Sequence, residues 1–283
     1  MLKPLISLLI VSLFSATILS SESLMKRKRV YGAEKLDQEL QGQKKSYASN
    51  QLLVYCQQRS LLTAHRLLGS GADVNAQDEE TGASCLHFAA QFNDTQLIDF
   101  LKERGADLEI PDKQGFTPFL KAAQVGSNDA VRLLFRHGAQ KYATLPDGQC
   151  ALHLAASAGF VETCRSLLEG GISREVKTTD NETPLHLASE SGSAPVVALL
   201  LSEHADKNAL DCKGRTALHR AAAKGSVGVI NLLCTSGALK NEKNLAELTP
   251  LHLAVLKVQE ESVAALIDQK CDVSIATGDL VTP

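Results

Sequence analysis

Thr183-Pro184-Leu185-His186-Leu187-Ala188 decides the fold of this chain, because its pattern returns every 33 residues in both directions. Downstream stand Thr216-Ala217-Leu218-His219 and Thr249-Pro250-Leu251-His252; upstream stand Cys150-Ala151-Leu152-His153, Thr117-Pro118-Phe119-Leu120 and Ser84-Cys85-Leu86-His87. Six copies share one register. A fixed period of this length means one supersecondary unit stacked many times, each too small to bury its apolar face alone.

The residue types explain the unit. Thr183 caps a first helix through its hydroxyl, and Pro184 suits the first helical position, where its missing N–H costs nothing. Leu185, Leu187 and Ala188 form a short apolar face, and Gly192 ends the helix in a conformation open to positive φ. A second helix follows, with Val196, Val197, Leu199 and Leu200 facing back onto the first. The link from Ala205 to Asp211 then leads to Gly214, a tight-turn residue. These residues closely resemble the ankyrin repeat, over roughly Asn50 to Ala276. The resemblance implies an all-α ankyrin-repeat solenoid of paired antiparallel helices with β-turn fingers. It also implies a binding scaffold, and names no partner.

Composition agrees. Of 283 residues, 44% are hydrophobic but only 4% aromatic, and Trp is absent, so the core is built from Leu, Ala, Val and Ile, as thin stacked helices require. A net charge of −3 argues against a protein that coats nucleic acid. The seven cysteines never share a repeat position and show no CxxC spacing. They are expected to act as small buried hydrophobes, and their odd count suits a reducing compartment.

Residues 1–20 stand outside the repeat: Lys3 precedes an apolar run from Leu5 to Leu19 that ends in Ser20-Ser21, the pattern of a secretory signal. The alternatives are a retained membrane anchor, or a start at Met25 that gives a cytosolic protein opening on the basic run Lys26–Arg29. Residues 21–49 are polar and are expected to form a linker or frayed helix. Residues 50–276 hold seven repeats. The first is degenerate, with Leu52-Leu53-Val54 in the signature's place, as suits a capping unit. Leu120 replaces the signature His in the third unit. Asn93, Asn181, Glu247 and Val258 stand where most other units have Gly. Residues 277–283 begin a further unit, since Thr282-Pro283 falls one period after Thr249-Pro250.

The recurrent His87, His153, His186, His219 and His252 could suggest a metal array, but stacked helices lie about 8–10 Å apart while zinc ligands lie about 2 Å from the ion. The resemblance implies that they are structural, bonded to finger backbone. No phosphate-binding loop, nucleophile elbow, HExxH or kinase signature is present, so no enzyme activity and no cofactor or metal is expected.

Function must then lie in residues that vary between units. The resemblance places these on the fingers and on the exposed side of each first helix, lining a groove. The expected partner-binding residues are Phe92, Phe116, Gln124, Val125, Gln149, Glu182, Arg215 and Lys224, with Phe92 and Phe116 as exposed aromatic anchors. The alternative for these aromatics is packing against neighbouring fingers. The second unit is acidic, with Asp78, Glu79 and Glu80 among others; the sixth is basic, with Lys213, Arg215, Arg220 and Lys224. This polarity would orient a protein partner. A small-molecule substrate is not expected, and a membrane is relevant only if the N-terminal segment is retained.

Overall fold

The computed structural model describes residues 33–277. The apolar run Leu5–Leu19, the basic run Lys26–Arg29 and the eighth opening at Thr282-Pro283 lie outside them. Among the described residues there are fourteen helices and no strand. They form seven inner–outer pairs: Ala33–Gln57 (α1) with Leu61–Gly69 (α2), Cys85–Gln91 (α3) with Thr95–Glu103 (α4), Pro118–Val125 (α5) with Asn128–Arg136 (α6), Ala151–Ala158 (α7) with Val161–Glu169 (α8), Pro184–Ser191 (α9) with Ala194–Ser202 (α10), Ala217–Lys224 (α11) with Val227–Thr235 (α12), and Pro250–Leu256 (α13) with Glu260–Asp268 (α14). Each inner helix packs on the next inner helix, and from α4 onward each outer helix packs on the next outer one; α2 meets α4 through the stacked rings of His65 and Phe100. Isolated bridges Gln77 to Ser84 and Thr144 to Cys150 close two of the fingers. Among the described residues, no helix is long and apolar enough to cross a membrane.

The sequence pattern accounts for these short helices. Thr117, Thr216 and Thr249 each accept a backbone N–H in the first turn that they cap, and proline opens α5, α9 and α13. Inner helices end on left-handed residues, such as Gly126 at φ 75°. A Cβ on Gly126 would stand 2.6 Å from the Phe160 ring, so close packing also excludes a side chain there. Asn93 and Val258 hold the same left-handed slot at φ 55°. Asn tolerates it; a β-branched Val is strained there. Leu86, Leu152, Leu185, Leu218 and Leu251 repeat at one core position. Ala at 89, 122, 155, 188, 221 and 254 lets neighbouring inner helices approach closely. Six of the seven cysteines are buried in this core, and Cys212 is exposed on a finger. Burial pushes the Cys164 thiol up to about 12.

At the N-terminus, Ala33–Gln57 is one unbroken helix, the helical alternative for the polar stretch, and it runs on into the first unit. Its Lys, Gln and Glu are strong helix formers even without an apolar face. Ser49 is already buried, and its hydroxyl accepts the Asp73 N–H at 2.9 Å.

Two kinds of hydrogen bond link successive fingers. In the first, a signature histidine accepts its own cap N–H at Nδ1, which fixes the tautomer. Its Nε2–H then donates to a carbonyl 29 residues on: His87 to Phe116 at 2.8 Å, His153 to Glu182 at 3.0 Å, His186 to Arg215 at 2.9 Å and His219 to Leu248 at 3.1 Å. In the second, a fingertip N–H donates to the preceding fingertip carbonyl: Lys113 to Thr81, Thr179 to Asp147, Cys212 to Asp180 and Leu245 to Lys213. The junction of the third and fourth units lacks both, although the Gln140 N–H still donates to Glu109 Oε1 at 2.8 Å on the link that leads to the finger. Leu120 has no ring nitrogen to reach Gln149, and Pro146, where the periodic donor would be, has no N–H. The outer helices still join there: Arg132 Nε donates to Ser166 Oγ at 2.8 Å, and that hydroxyl donates to Asn128 at 2.7 Å.

Candidate partner groove

One residue of each inner helix faces the fingers: Val54, Phe88, Lys121, Leu154, Leu187, Arg220 and Leu253 occupy this column. The corner between column and fingers is the groove that the repeat creates. Its chemistry changes sharply along the stack.

Toward the N-terminus the groove is partly apolar. Val54 is 42% exposed, and Phe92 and Val125 are each 36% exposed at the ends of α3 and α5. Gln124 is half-buried beside Val125. Phe116 is the exception and corrects the expectation of an exposed anchor. It is 6% exposed, and the Lys121 ammonium lies 4.8 Å from its ring centre. Its backbone is also held on both sides, the N–H donating to Asp112 Oδ1 and the carbonyl accepting from His87. Phe116 therefore packs at the base of its finger. Gln149 is half-buried on the next finger, where its amide donates to Asp147 Oδ2 at 2.9 Å.

Toward the C-terminus the groove closes into a charge cluster. Arg220, at the column position that is Leu in three other units, is 4% exposed. Its guanidinium donates to Asp211 Oδ2 at 2.6 Å, Glu182 Oε1 at 2.5 Å and Glu190 Oε2 at 2.5 Å. Arg215 Nε also donates to Asp211, at 2.9 Å, and Lys224 Nζ lies 3.6 Å from Glu190. Asp211 further accepts the fingertip N–H groups of Lys213 and Arg215. Burial alone would raise the Asp211 carboxyl, but the hydrogen bonds from Arg220 and the finger hold it below its usual value. Three cations meet three carboxylates, so the cluster is neutral. Arg215, Lys224 and Glu182, expected to meet a partner, are joined to one another through the Arg220 cluster, with the Lys224 side chain still 56% exposed. Three of the sixth unit's basic residues are thus matched within the fold. Sequence reasoning missed Arg220, Glu190 and Asp211 as a unit. The available signal was an Arg in a column otherwise rich in Leu.

The histidines carry no free ring edge. Both nitrogens of His87, His153, His186 and His219 are engaged by this chain, and burial lowers the pKa of each, that of His219 to about 4. They are structural.

Comparison with known proteins agrees with this geometry. The family described as ankyrin repeats (3 copies) matches residues 52–145, 140–211 and 195–277, most of the chain, which therefore belongs to the ankyrin-repeat family. It is 37% identical over 87 residues to human 2-5A-dependent ribonuclease, covering 30% of this chain and 12% of that protein. It is 35% identical over 116 residues to human SH3 and multiple ankyrin repeat domains protein 2, covering 40% and 6%. It is 32% identical over 88 residues to the E3 ubiquitin-protein ligase KEG of Arabidopsis thaliana, covering 31% and 5%. The matched stretch is thus 12% or less of each relative's length.

Proposed function

We propose that this chain is a non-enzymatic scaffold or adaptor that holds a partner protein in the groove between its inner helices and fingers. The observation that carries this reading is the exposed apolar set Val54, Phe92 and Val125, which lines a surface that the stack does not need for its own packing. Exposed apolar side chains in a concave surface, ringed by polar fingers, suit a protein segment better than a nucleic-acid backbone. The test is Phe92→Ala against a convex-side control, Glu203→Lys, measured by retention of a captured partner. Loss in the first alone supports the groove; equal retention in both removes it.

A second reading rests on the ribonuclease and ubiquitin ligase among the relatives. Ankyrin-like segments accompany enzymes there, so this chain could serve as a regulatory or targeting part of a larger enzyme or channel. The full-length open reading frame decides between them. For residues 1–20 the proposal is a cleaved secretory signal, checked by intact mass of the native protein: a chain starting near Ser21 supports it, and one starting at Met1 or Met25 removes it.

A further inference from the structure

A cleft of about 240 Å³ lies at the N-terminal end of the groove, where α1 meets α3 and the first finger. Its floor is Leu53, Val54 and Phe88; its rim is Asp78 and Glu79, with Asn50 and Gln57 beside them. The lining includes no Lys or Arg. Lys113 on the next finger donates its ammonium to the Glu79 backbone carbonyl at 2.5 Å and is close enough to help lower the Asp78 pKa, but it does not line the cleft. Asp78 Oδ2 accepts the N–H and hydroxyl of Thr81, which lowers its pKa and keeps it anionic at neutral pH.

Comparison with other units shows what this corner lacks. In the third unit the column residue is Lys121, which covers Phe116. In the sixth it is Arg220, which enters the carboxylates of Asp211 and Glu182. In both cases a long cationic side chain fills the angle between inner helix and finger. At the N-terminal cleft the finger supplies two carboxylates, but the column supplies Val54 and Phe88. Among the described residues, the corner's lining has an anionic rim, an apolar floor and no cation.

We infer that this cleft receives an arginine side chain, or the lysine equivalent, from a partner protein segment lying in the groove. The aliphatic stem covers Val54 and Leu53, as long basic side chains cover apolar surface elsewhere. The guanidinium meets Asp78 and Glu79 by charge-assisted hydrogen bonds and lies against the Phe88 ring. Arginine fits better than lysine, because its planar head serves two carboxylates and one ring at once. The inference rests on the scaffold reading and adds the partner's chemistry: a basic residue anchored at the first-unit end.

The test is an NMR titration of the whole chain, methyl-labelled at Val and Leu, with acetyl-Gly-Arg-Gly-amide and its norleucine and glutamate counterparts. The arginine peptide is expected to give saturating shifts at the Val54 and Leu53 methyls. The norleucine peptide should bind at least tenfold more weakly, and the glutamate peptide should leave these methyls unmoved. Glu79→Lys, at an exposed side chain, should weaken the arginine response at least tenfold while leaving methyl signals of later units in place. A second variant, Val54→Lys, supplies the absent cation and should block the response by occupying the cleft. Equal responses to all three peptides, or an arginine response that survives both variants, overturns the inference. If partner retention still depends on Phe92 while the arginine response is missing, the cleft alone is discarded and the scaffold stands. If neither is seen, both fall.

Discussion

At the first-unit end of the groove, Asp78 and Glu79 face Val54 and Phe88, whereas at the fifth and sixth units Glu182 and Asp211 face Arg220. Both ends place carboxylates on fingers and use the same column of the inner helix. One changed side chain type makes the difference. With Arg in the column, the charges are consumed inside the fold; with Val and Phe, they remain on a rim over an apolar floor. Charge counted per unit is therefore a poor guide to where a partner docks. In the unit with the most conspicuous basic residues, Arg215, Arg220 and Lys224 are already matched by carboxylates.

The largest expected effect breaks the closed end. Arg220→Ala should destabilise the chain by about 3–5 kcal/mol, because it strands carboxylates that its guanidinium now neutralises, Asp211 among them with a fully buried side chain. Chemical denaturation measures this. Combining Arg220→Leu with Glu182→Gln and Asp211→Asn should recover most of the loss, because a neutral apolar column is the arrangement other units already use. Failure to recover would show that the cluster has a role beyond neutrality.

Next comes the pair of aromatics once expected to act alike. Phe116→Ala should cost about 3 kcal/mol of stability, in the range for a buried Phe. Phe92→Ala should leave the unfolding midpoint nearly unchanged and weaken a captured partner by about 2 kcal/mol or more. Thermal melts and partner titrations of the two variants, run together, check both. If Phe116→Ala melts like the parent chain, the burial argument fails.

Smaller again is an effect common to both ends. Burial holds the pKa of His87, His153, His186 and His219 below the ordinary 6.5, that of His219 at about 4. An unfolded chain then binds protons that the folded one refuses. Stability from these groups is complete above about pH 6.5 and falls as pH drops toward the folded values. Urea midpoints between pH 7 and pH 4 should decline, and His186→Gln should decline less steeply. A midpoint flat across that range would contradict the buried neutral ladder.

The smallest perturbation is chemical labelling. Cys212 is the one exposed thiol of the seven, so a thiol reagent should label one site in the folded chain and seven after unfolding. Because Cys212 sits on the finger beside Arg220's cluster, its label also reports whether a partner covers that end.

Much of this was legible in the sequence. Six in-register copies of one signature determine the units, the caps and the core, because each residue type there answers a local demand that recurs. The groove was only partly legible. Phe92 and Val125 are exposed because they stand at the ends of short helices, which the period locates. Phe116 was misplaced because its cover, Lys121, lies five residues on and reaches back only once the finger has folded. The charge cluster joins Arg220 to residues 9, 30 and 38 positions away, so no local window contains it. The start of α1 was hidden for another reason: a polar helix has no apolar stripe to reveal it.

The gap at the third and fourth units has a mechanical consequence. Where Leu120 and Pro146 stand, the fingers lose both of their tip-to-tip tethers while Arg132, Asn128 and Ser166 still clasp the outer helices. The Gln140 to Glu109 bond and the packing of α5 on α7 remain there, so the junction is weakened at the fingertips rather than open. Under load or thermal agitation, curvature should change at this junction before any other, swinging the Phe92 half of the groove relative to the Arg220 half. Pro146 thus marks the finger-to-finger junction with the fewest backbone tethers among the described units. Pro146→Ala, which restores a fingertip N–H, should stiffen it.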